Sequence, residues 1–213
     1  MNQAVLGGAM LAVLLVASGT AGAFEKRAYE VVEEDRDFTL RDYGPAVVAE
    51  TFVQGDFEDV GSTAFRILVA YISGENEASE SIAMTAPVTQ ERPGEKIAMT
   101  APVTQETAGE GYRFTFMMPS ARSFETFPVP LDERVRLRRE PGGRYAAVAY
   151  SGFWSRRNYD RHLEELRAWM NLRALEPTGD PVWARYDPPF MPWFWRRNEI
   201  LIPVGEVGGA ASS

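Results

Sequence analysis

A short aromatic loop near the C-terminus carries the side chains best suited to hold a ligand. Residues 190–195 contain two phenylalanines and two tryptophans, Trp193 and Trp195, and are followed directly by Arg196 and Arg197. Aromatic rings can sandwich a flat macrocycle, and arginine pairs with carboxylates in a planar fork. Two other interpretations stay open. The rings can pack onto the domain while the arginines stay in water, or they can form an exposed patch that docks on a membrane surface or a partner.

The composition excludes several large classes of chemistry. The 213 residues include no cysteine and a single histidine, His162, with 22 Lys and Arg against 30 Asp and Glu. The absence of cysteine excludes disulfides, thiolate nucleophiles, zinc knuckles and iron–sulfur clusters, and one histidine excludes a His-rich metal site. The net charge of -8 argues against a nucleic-acid partner, because neutralising phosphates needs a basic surface.

The sequence contains no recognisable catalytic motif, so we predict no catalytic residue. Ser151 lacks the Gly-x-Ser-x-Gly context of a nucleophile elbow, and Gly142 with Gly143 indicates a hairpin turn and not a phosphate loop. A small-molecule hydrolase with Glu199 as its pocket acid is the alternative. The competing interpretation of Glu199 is a structural salt bridge or hydrogen bond.

The first 23 residues have the pattern of a secretory signal peptide. An uncharged apolar run over residues 4–17 is shorter than the roughly 20 residues that span a bilayer. Ala21 and Ala23 fit an A-x-A site, which predicts cleavage before Phe24 and export to a periplasm or out of the cell; an uncleaved membrane tether is the alternative.

We expect one domain over residues 24–204. Small residues predominate in residues 205–213, which predicts a flexible tail.

Hydrophobic periodicity predicts two helices and a series of strands. The first helix runs from a cap near Asp56 through Ser73, with Gly74 at the position of a C′ glycine. Ser155 caps a second helix that runs to about Leu175. Alternating apolar residues predict strands at residues 38–42, 46–53, 112–118, 134–138, 145–150, 182–186 and 199–204.

The predicted elements follow one order twice. Each half reads strand-strand-helix-strand-strand, without the alternation of strands and helices that marks a parallel sheet. This order predicts the α+β class, with one supersecondary unit used twice.

One ten-residue segment occurs twice without change, since residues 82–91 recur as residues 97–106. If the copies pair as an antiparallel hairpin about a turn at residues 93–94, Met84 faces Val103 and the apolar faces coincide. Alternatively, the two copies compete for one position in the sheet.

Several segments resemble the SOUL haem-binding protein family, and they occur in the same order. The resemblance covers about residues 29–204 and implies a distorted antiparallel β-barrel with two flanking helices, made of two βαββ-like halves. It also implies a likeness to the effector-binding domain of gyrase-inhibitor-like proteins. The matching segments are Arg41-Asp42-Tyr43-Gly44-Pro45, Tyr71-Ile72-Ser73-Gly74-Glu75-Asn76, Ile82-Ala83-Met84-Thr85-Ala86-Pro87-Val88-Thr89, and residues 118–120, 151–153, 186–189 and 197–200.

The resemblance implies a monomer that binds haem or another tetrapyrrole, a small, hydrophobic and planar ligand, and buffers or transfers it. Some family members have a histidine just before Tyr-Gly-Pro as a proposed iron ligand, whereas this sequence has Asp42 there, and carboxylate is not a usual ligand of haem iron. His162 is then the candidate axial ligand, although a boundary position on its helix is the competing interpretation. The implied cofactor-binding residues are Tyr43, His162, Trp193, Trp195, Arg196 and Arg197.

Overall fold

The computed structural model describes residues 24–77, 94–187 and 191–205. Within these residues the helices are α1 (Val60–Ile72) and α2 (Arg156–Leu172), and short 3-10 helices lie at Phe124–Thr126 and Trp193–Trp195. The strands are β1 (Glu25–Lys26), β2 (Tyr29–Asp35), β3 (Phe38–Tyr43), β4 (Ala46–Val53), β5 (Asn76–Glu77), β6 (Thr100–Ala101), β7 (Val103–Ala108), β8 (Gly111–Met117), β9 (Val129–Pro130), β10 (Arg136–Glu140), β11 (Gly143–Tyr150), β12 (Val182–Arg185) and β13 (Asn198–Val204).

Nine of these strands form one antiparallel sheet, in the order β10-β4-β8-β7-β12-β13-β11-β3-β2. The order is symmetric about its centre: β4, β8 and β7 form one half with α1, and β11, β13 and β12 form the other with α2. The α+β class and the repeated element order are therefore confirmed. The first strand of each unit is exchanged between the halves, because β3 pairs with β11 and β10 pairs with β4.

This exchange forces the sheet to curl. β3 ends at Tyr43 and β4 begins at Ala46, yet they are the eighth and second strands of the sheet. Three Cα–Cα steps reach about 11 Å at most, whereas six strand spacings in a flat sheet cover about 29 Å. The same holds for β10 and β11, which are the first and seventh strands. The sheet is therefore bent into an open, distorted barrel.

The two short connections touch where they cross. A Cβ atom added to Gly142 would lie 2.5 Å from the carbonyl oxygen of Tyr43, so only glycine fits there. Arg27 binds both connections: it donates to the Gly44 carbonyl at 2.7 Å and to the Pro141 carbonyl at 3.3 Å. It also forms an ion pair with Glu140, the last residue of β10, at 2.6 Å. Because residues 38–42 and 46–53 belong to separate parts of the sheet, the segment between them is a crossover. The hairpin turn predicted at Gly142-Gly143 is wrong for the same reason, since β10 pairs with β4 whereas β11 pairs with β13 and β3.

Both helices pack against the same face of the sheet and cover separate cores. The predicted start of α1 near Asp56 is too early, because the amides of Asp59 and Val60 donate to the Asp56 carbonyl and form a turn before the helix. Ser155 caps α2 as predicted, accepting from the amide of Asn158, and α2 ends at Leu172. Neither helix in the described part of the chain is long and apolar enough to cross a membrane.

The second copy of the repeat does not form one continuous strand. Thr100–Ala101 pairs with β1, and β7 begins at Val103 with β8 on one edge and β12 on the other. Val103 therefore has no edge free for Met84, so the proposed hairpin register is wrong at this position. The second copy, residues 97–106, contributes the start of β7 to the large sheet. The first copy, residues 82–91, lies outside the described residues.

Replacing Gly142 with alanine tests the crossover. We expect Gly142→Ala to lower the free energy of unfolding by about 1–3 kcal/mol, because the added methyl overlaps the Tyr43 carbonyl. Gly44→Ala is the matched control, since no atom lies within 4 Å of the added Cβ, and it should be neutral or slightly stabilising. Urea unfolding followed by tryptophan fluorescence measures both, and equal midpoints for the two variants would contradict the crossover.

Candidate functional site

The helix-free, inner face of the sheet holds one buried acid that is surrounded by donors. Side chains alternate along β13, so Ile200 packs under α2 whereas Glu199 points to the inner face, with a side chain 0% exposed. Arg41 donates to both carboxylate oxygens, at 2.8 and 3.2 Å. Tyr186 donates at 2.7 Å and Arg197 at 2.6 Å. The carboxylate is therefore covered on both oxygens.

The surroundings of Glu199 keep it ionised. Burial alone would raise its pKa, but hydrogen bonds and charge from Arg41 and Arg197 outweigh burial and hold the pKa below its ordinary value of 4.5. Burial raises the pKa of the Tyr186 phenol well above its ordinary range, and the charge of Glu199 adds to that effect. Since Glu199 is fully paired and has no exposed surface, it is a structural ion-pair partner. The hydrolase alternative loses its candidate acid.

Tyr43 belongs to this structural group. Its hydroxyl accepts a hydrogen bond from Arg41 at 3.1 Å, and the rings of Tyr29 and Tyr145 pack beside it. Burial raises its pKa to about 12, which disfavours the phenolate that iron would need. Asp42 points to the opposite side and pairs with Arg144, its cross-strand neighbour, through two hydrogen bonds of 2.7 Å.

The aromatic loop remains exposed and its two arginines diverge. Trp193 is 46% exposed and Trp195 is 71% exposed. Each ring contacts the next in the series Phe153, Trp193, Phe194 and Trp195, so no gap for a macrocycle remains between them. Arg196 donates to the Met191 carbonyl and lies over Trp154. Arg197 turns to the inner face and binds Glu199. The structure therefore does not bring the two arginines together as a clamp; Phe190 lies outside the described residues.

His162 lies on α2 in an open cleft of about 550 Å³. Its ring stacks on Tyr150, with the ring centroids 4.1 Å apart. Nδ1 lies 2.7 Å from a Glu165 carboxylate oxygen, and Nε2 lies 3.0 Å from the Arg161 guanidinium. The cleft is lined by Asp37, Phe38, Val148, Ala149, Tyr150, Ser151, Arg161, His162 and Glu165.

The neighbours of His162 assign its tautomer. A carboxylate only accepts and a guanidinium only donates, so Nδ1 of His162 carries the proton and Nε2 presents its lone pair. A histidine whose Nδ1–H donates to a carboxylate is the usual arrangement of a metal ligand, because the partner orients the ring and raises its basicity. His162 is therefore the residue of the cleft that could hold an iron through Nε2, provided that Arg161, which donates to that nitrogen in the structure, moves away from it.

The cleft contains partners that sequence reasoning missed. Glu165 stands three residues after His162 on α2, and this helical spacing could have identified the pair. Asp37 and Phe38 come from the β2–β3 turn, far away in sequence, and Tyr150 comes from the end of β11. No local pattern indicates that Asp37 and Phe38 meet His162, since only the exchange of β3 into the second half of the sheet places them there.

Replacing Glu199 tests the structural role of the inner pair. We expect Glu199→Gln to destabilise the fold by about 3–5 kcal/mol, because it leaves the Arg41 cation buried without a counter-charge. Asp132→Asn, which breaks an exposed pair with Arg134, is the control and should barely shift the urea midpoint. Similar midpoints for the two variants would refute a structural role.

The same pair predicts a pH dependence. Because the folded-state pKa of Glu199 lies below 4.5, its contribution is complete above that value and disappears as the pH falls through the folded-state pKa. The difference in unfolding free energy between the wild-type protein and Glu199→Gln should therefore stay constant above about pH 5 and shrink in more acidic buffer. A difference that grows on acidification would have the wrong sign.

Comparisons with known proteins agree with this architecture. The chain is similar to Heme-binding protein 1 of Xenopus tropicalis, with 24% identity over 164 residues, which cover 76% of this chain and 81% of that protein. Among solved structures, a hydrolase from Listeria innocua superposes with a TM-score of 0.56 at 12% identity, covering 82% of this chain and 94% of that chain. The EcmrR C-terminal domain gives a TM-score of 0.56 at 14% identity, covering 80% and 98%. At these identities the two structures share the fold alone.

The family assignment rests on the whole domain. The sequence profile described as SOUL heme-binding protein matches residues 24–203, which include both helices and all the strands of the large sheet except the last residue of β13. The chain therefore belongs to the SOUL heme-binding protein family.

Proposed function

We propose that this protein binds haem or another tetrapyrrole in the cleft at His162. Membership of the SOUL heme-binding protein family supports a ligand of this class, as does the likeness to Heme-binding protein 1. The observation that carries the location is the His162–Glu165 pair in an open cleft of about 550 Å³. That volume lies within the range of ordinary ligand pockets.

Each side chain of the cleft has a separate task in this proposal. Glu165 holds the His162 ring so that Nε2 presents its lone pair, and haem iron is commonly ligated by such an imidazole. Arg161 now donates to Nε2; pairing with a ligand carboxylate draws its guanidinium away and frees that nitrogen. Phe38 and the stacked ring of Tyr150 supply apolar surface. Arg161 provides the orientation.

We propose buffering or transfer as the biological role, in an exported monomer. The cleft is open, and its candidate iron ligand, His162, comes from one side of it. Both features support reversible binding. Export is supported by the pattern of residues 1–23, with cleavage before Phe24 and a destination in a periplasm or outside the cell.

A contact module is the second candidate function. The aromatic cluster of Phe153, Trp193, Phe194 and Trp195 supports it, because all four residues are largely exposed and their rings touch in sequence. Such a patch fits a membrane surface or a partner protein. Trp195→Ser distinguishes the two functions: it should weaken sedimentation with lipid vesicles or a partner, while haemin binding stays unchanged.

Titration with haemin and with iron-free protoporphyrin tests the proposed function. We expect saturable one-to-one binding of haemin with a shifted Soret band. His162→Ala should weaken haemin by about tenfold or more and leave protoporphyrin unchanged, because only the iron uses Nε2. Arg161→Ala should weaken both ligands, since both carry carboxylates.

The matched control is Arg157→Ala, an exposed arginine on the same helix outside the cleft. It should bind both ligands as the wild-type protein does. A linear, non-saturating response of the wild-type protein would contradict the proposed function. Equal haemin affinity for His162→Ala and wild type would contradict the assignment of the ligand.

A further inference from the structure

The exact repeat gives the chain two copies of the segment that joins the halves of the molecule. We call residues 82–91 copy 1 and residues 97–106 copy 2, and the two are identical at all ten positions. In the structure copy 2 starts β7 at Val103, and β7 pairs with β8 of the first half and with β12 of the second. Both edges of β7 are therefore occupied, and only one copy fits this position at a time.

The contacts that copy 2 makes through its own residues do not distinguish it from copy 1. The Thr100 hydroxyl donates to the Met117 carbonyl. Gln105 is 2% exposed, and its side-chain amide donates to the Phe57 carbonyl at 3.2 Å. Copy 1 has the same residue types fifteen positions earlier, at Thr85 and Gln90. Either copy can therefore supply the side chains that this position in the sheet requires.

The residues before the repeat favour copy 2. Gly94 lies so close to Gly74 that a Cβ atom on Gly94 would be 1.5 Å from the Gly74 carbonyl oxygen. The equivalent residue before copy 1 is Ser79, and a side chain at this place would overlap that carbonyl. Entry of copy 1 into the sheet therefore requires this contact to open.

The residues after the repeat also favour copy 2. Ala108 prolongs β7 and pairs with Gly111 of β8. The equivalent residue after copy 1 is Pro93, which has no amide to donate to the strand ladder. The preference for copy 2 therefore comes from residues that flank the repeat, whereas the ten residues within it are the same.

We propose that the two copies exchange, so that the protein has two folded registers: the more stable one with copy 2 in the sheet, and a second one with copy 1 in its place. Exchange moves fifteen residues from one end of the strand to the other. Residues 109–110 connect β7 to β8 in the structure, whereas residues 92–110 connect copy 1 to β8 in the second register. The longer loop costs little, because closure entropy grows only with the logarithm of loop length.

Cross-linking in the full chain detects each register separately, because the sequence contains no cysteine of its own. Thr104 of β7 is the register partner of Ala184 on β12, and the Cα atoms of such partners lie about 4.5–5.5 Å apart, which a disulfide spans. Thr104→Cys/Ala184→Cys therefore reports copy 2, and Thr89→Cys/Ala184→Cys reports copy 1. Under mild oxidation we expect the first pair to cross-link at once within the chain, and the second pair to cross-link slowly as copy 1 enters the sheet.

The matched control for cross-linking is Thr85→Cys/Ala184→Cys. Thr85 is equivalent to Thr100, which pairs with β1 and not with β12. Random collisions would bring residues 85 and 89 to position 184 alike, whereas the second register brings only residue 89. Thr89→Cys should therefore cross-link at least about tenfold faster than Thr85→Cys, because only register partners hold their Cβ atoms at disulfide distance.

A proline in each copy tests the exchange without cross-linking. Thr104→Pro removes a ladder hydrogen bond from a strand that is paired on both edges, so it should exclude copy 2 from the sheet. Because copy 1 then takes its place, Thr104→Pro should unfold at a higher urea concentration than Thr89→Pro/Thr104→Pro, in which neither copy fits. Thr89→Pro alone is the control and should unfold like the wild-type protein.

Two results would each overturn the proposal. One is cross-linking of Thr89→Cys/Ala184→Cys that is no faster than that of Thr85→Cys/Ala184→Cys. The other is unfolding of Thr104→Pro at the same urea concentration as Thr89→Pro/Thr104→Pro. Neither measurement uses a tetrapyrrole, so failure of the exchange and failure of the proposed function are distinguishable.

Discussion

The crossing of two short connections is the constraint on which the rest of this structure depends. Two-residue links join strands that lie six positions apart in the sheet, and they pass each other at Gly142. A chain this short cannot bridge a flat sheet, so the sheet must curl and enclose its helix-free face. β3 and β13 both pair with β11, so Arg41 and Glu199 meet on this enclosed face, where they are sealed from water. The exchange of β3 into the second half also places the β2–β3 turn beside α2, where the cleft forms.

The inner face of the sheet and the face covered by the helices consequently have different roles. On the inner face Arg41 and Glu199 satisfy each other, and their charged forms are favoured in spite of burial. On the helix side, by contrast, the side chains around His162 line an open cleft that a ligand can reach. Satisfied and sealed networks stabilise a fold, whereas an open cleft with a few polar side chains is suited to binding. This contrast is the physical reason for assigning stability to the inner face and binding to the helix face.

Much of the fold could be predicted from local pattern. The helical stripe and the alternation of strands identified both helices and most of the large sheet, and Ser155 was recognisable as a cap because its chemistry is local. β2 was not predicted, because Tyr29–Asp35 is exposed along nearly its whole length and has no clear apolar alternation. The exchange of β3 and β10 could not be predicted, because pairing between distant strands has no signature in either strand.

The candidate site was less predictable than the fold. Of the six residues expected to bind the cofactor, Tyr43 and Arg197 bind within the inner network, Trp193, Trp195 and Arg196 lie at the exposed loop, and His162 alone lines the cleft. Strand alternation already implied that the adjacent Arg196 and Arg197 would separate, since neighbours entering β13 point to opposite faces. The partners of His162 from other elements required the tertiary structure.

Mapping the bound ligand by NMR tests the central claim, that binding belongs to the helix face, most directly. Gallium protoporphyrin is diamagnetic, so backbone amide shifts report its position without broadening from iron. The account predicts that the largest shifts fall on Ser151, Arg161, His162 and Glu165, which line the cleft. Largest shifts on Lys26, Tyr186 and Arg197, whose two cations lie over the Tyr186 ring beside the inner face, would contradict it.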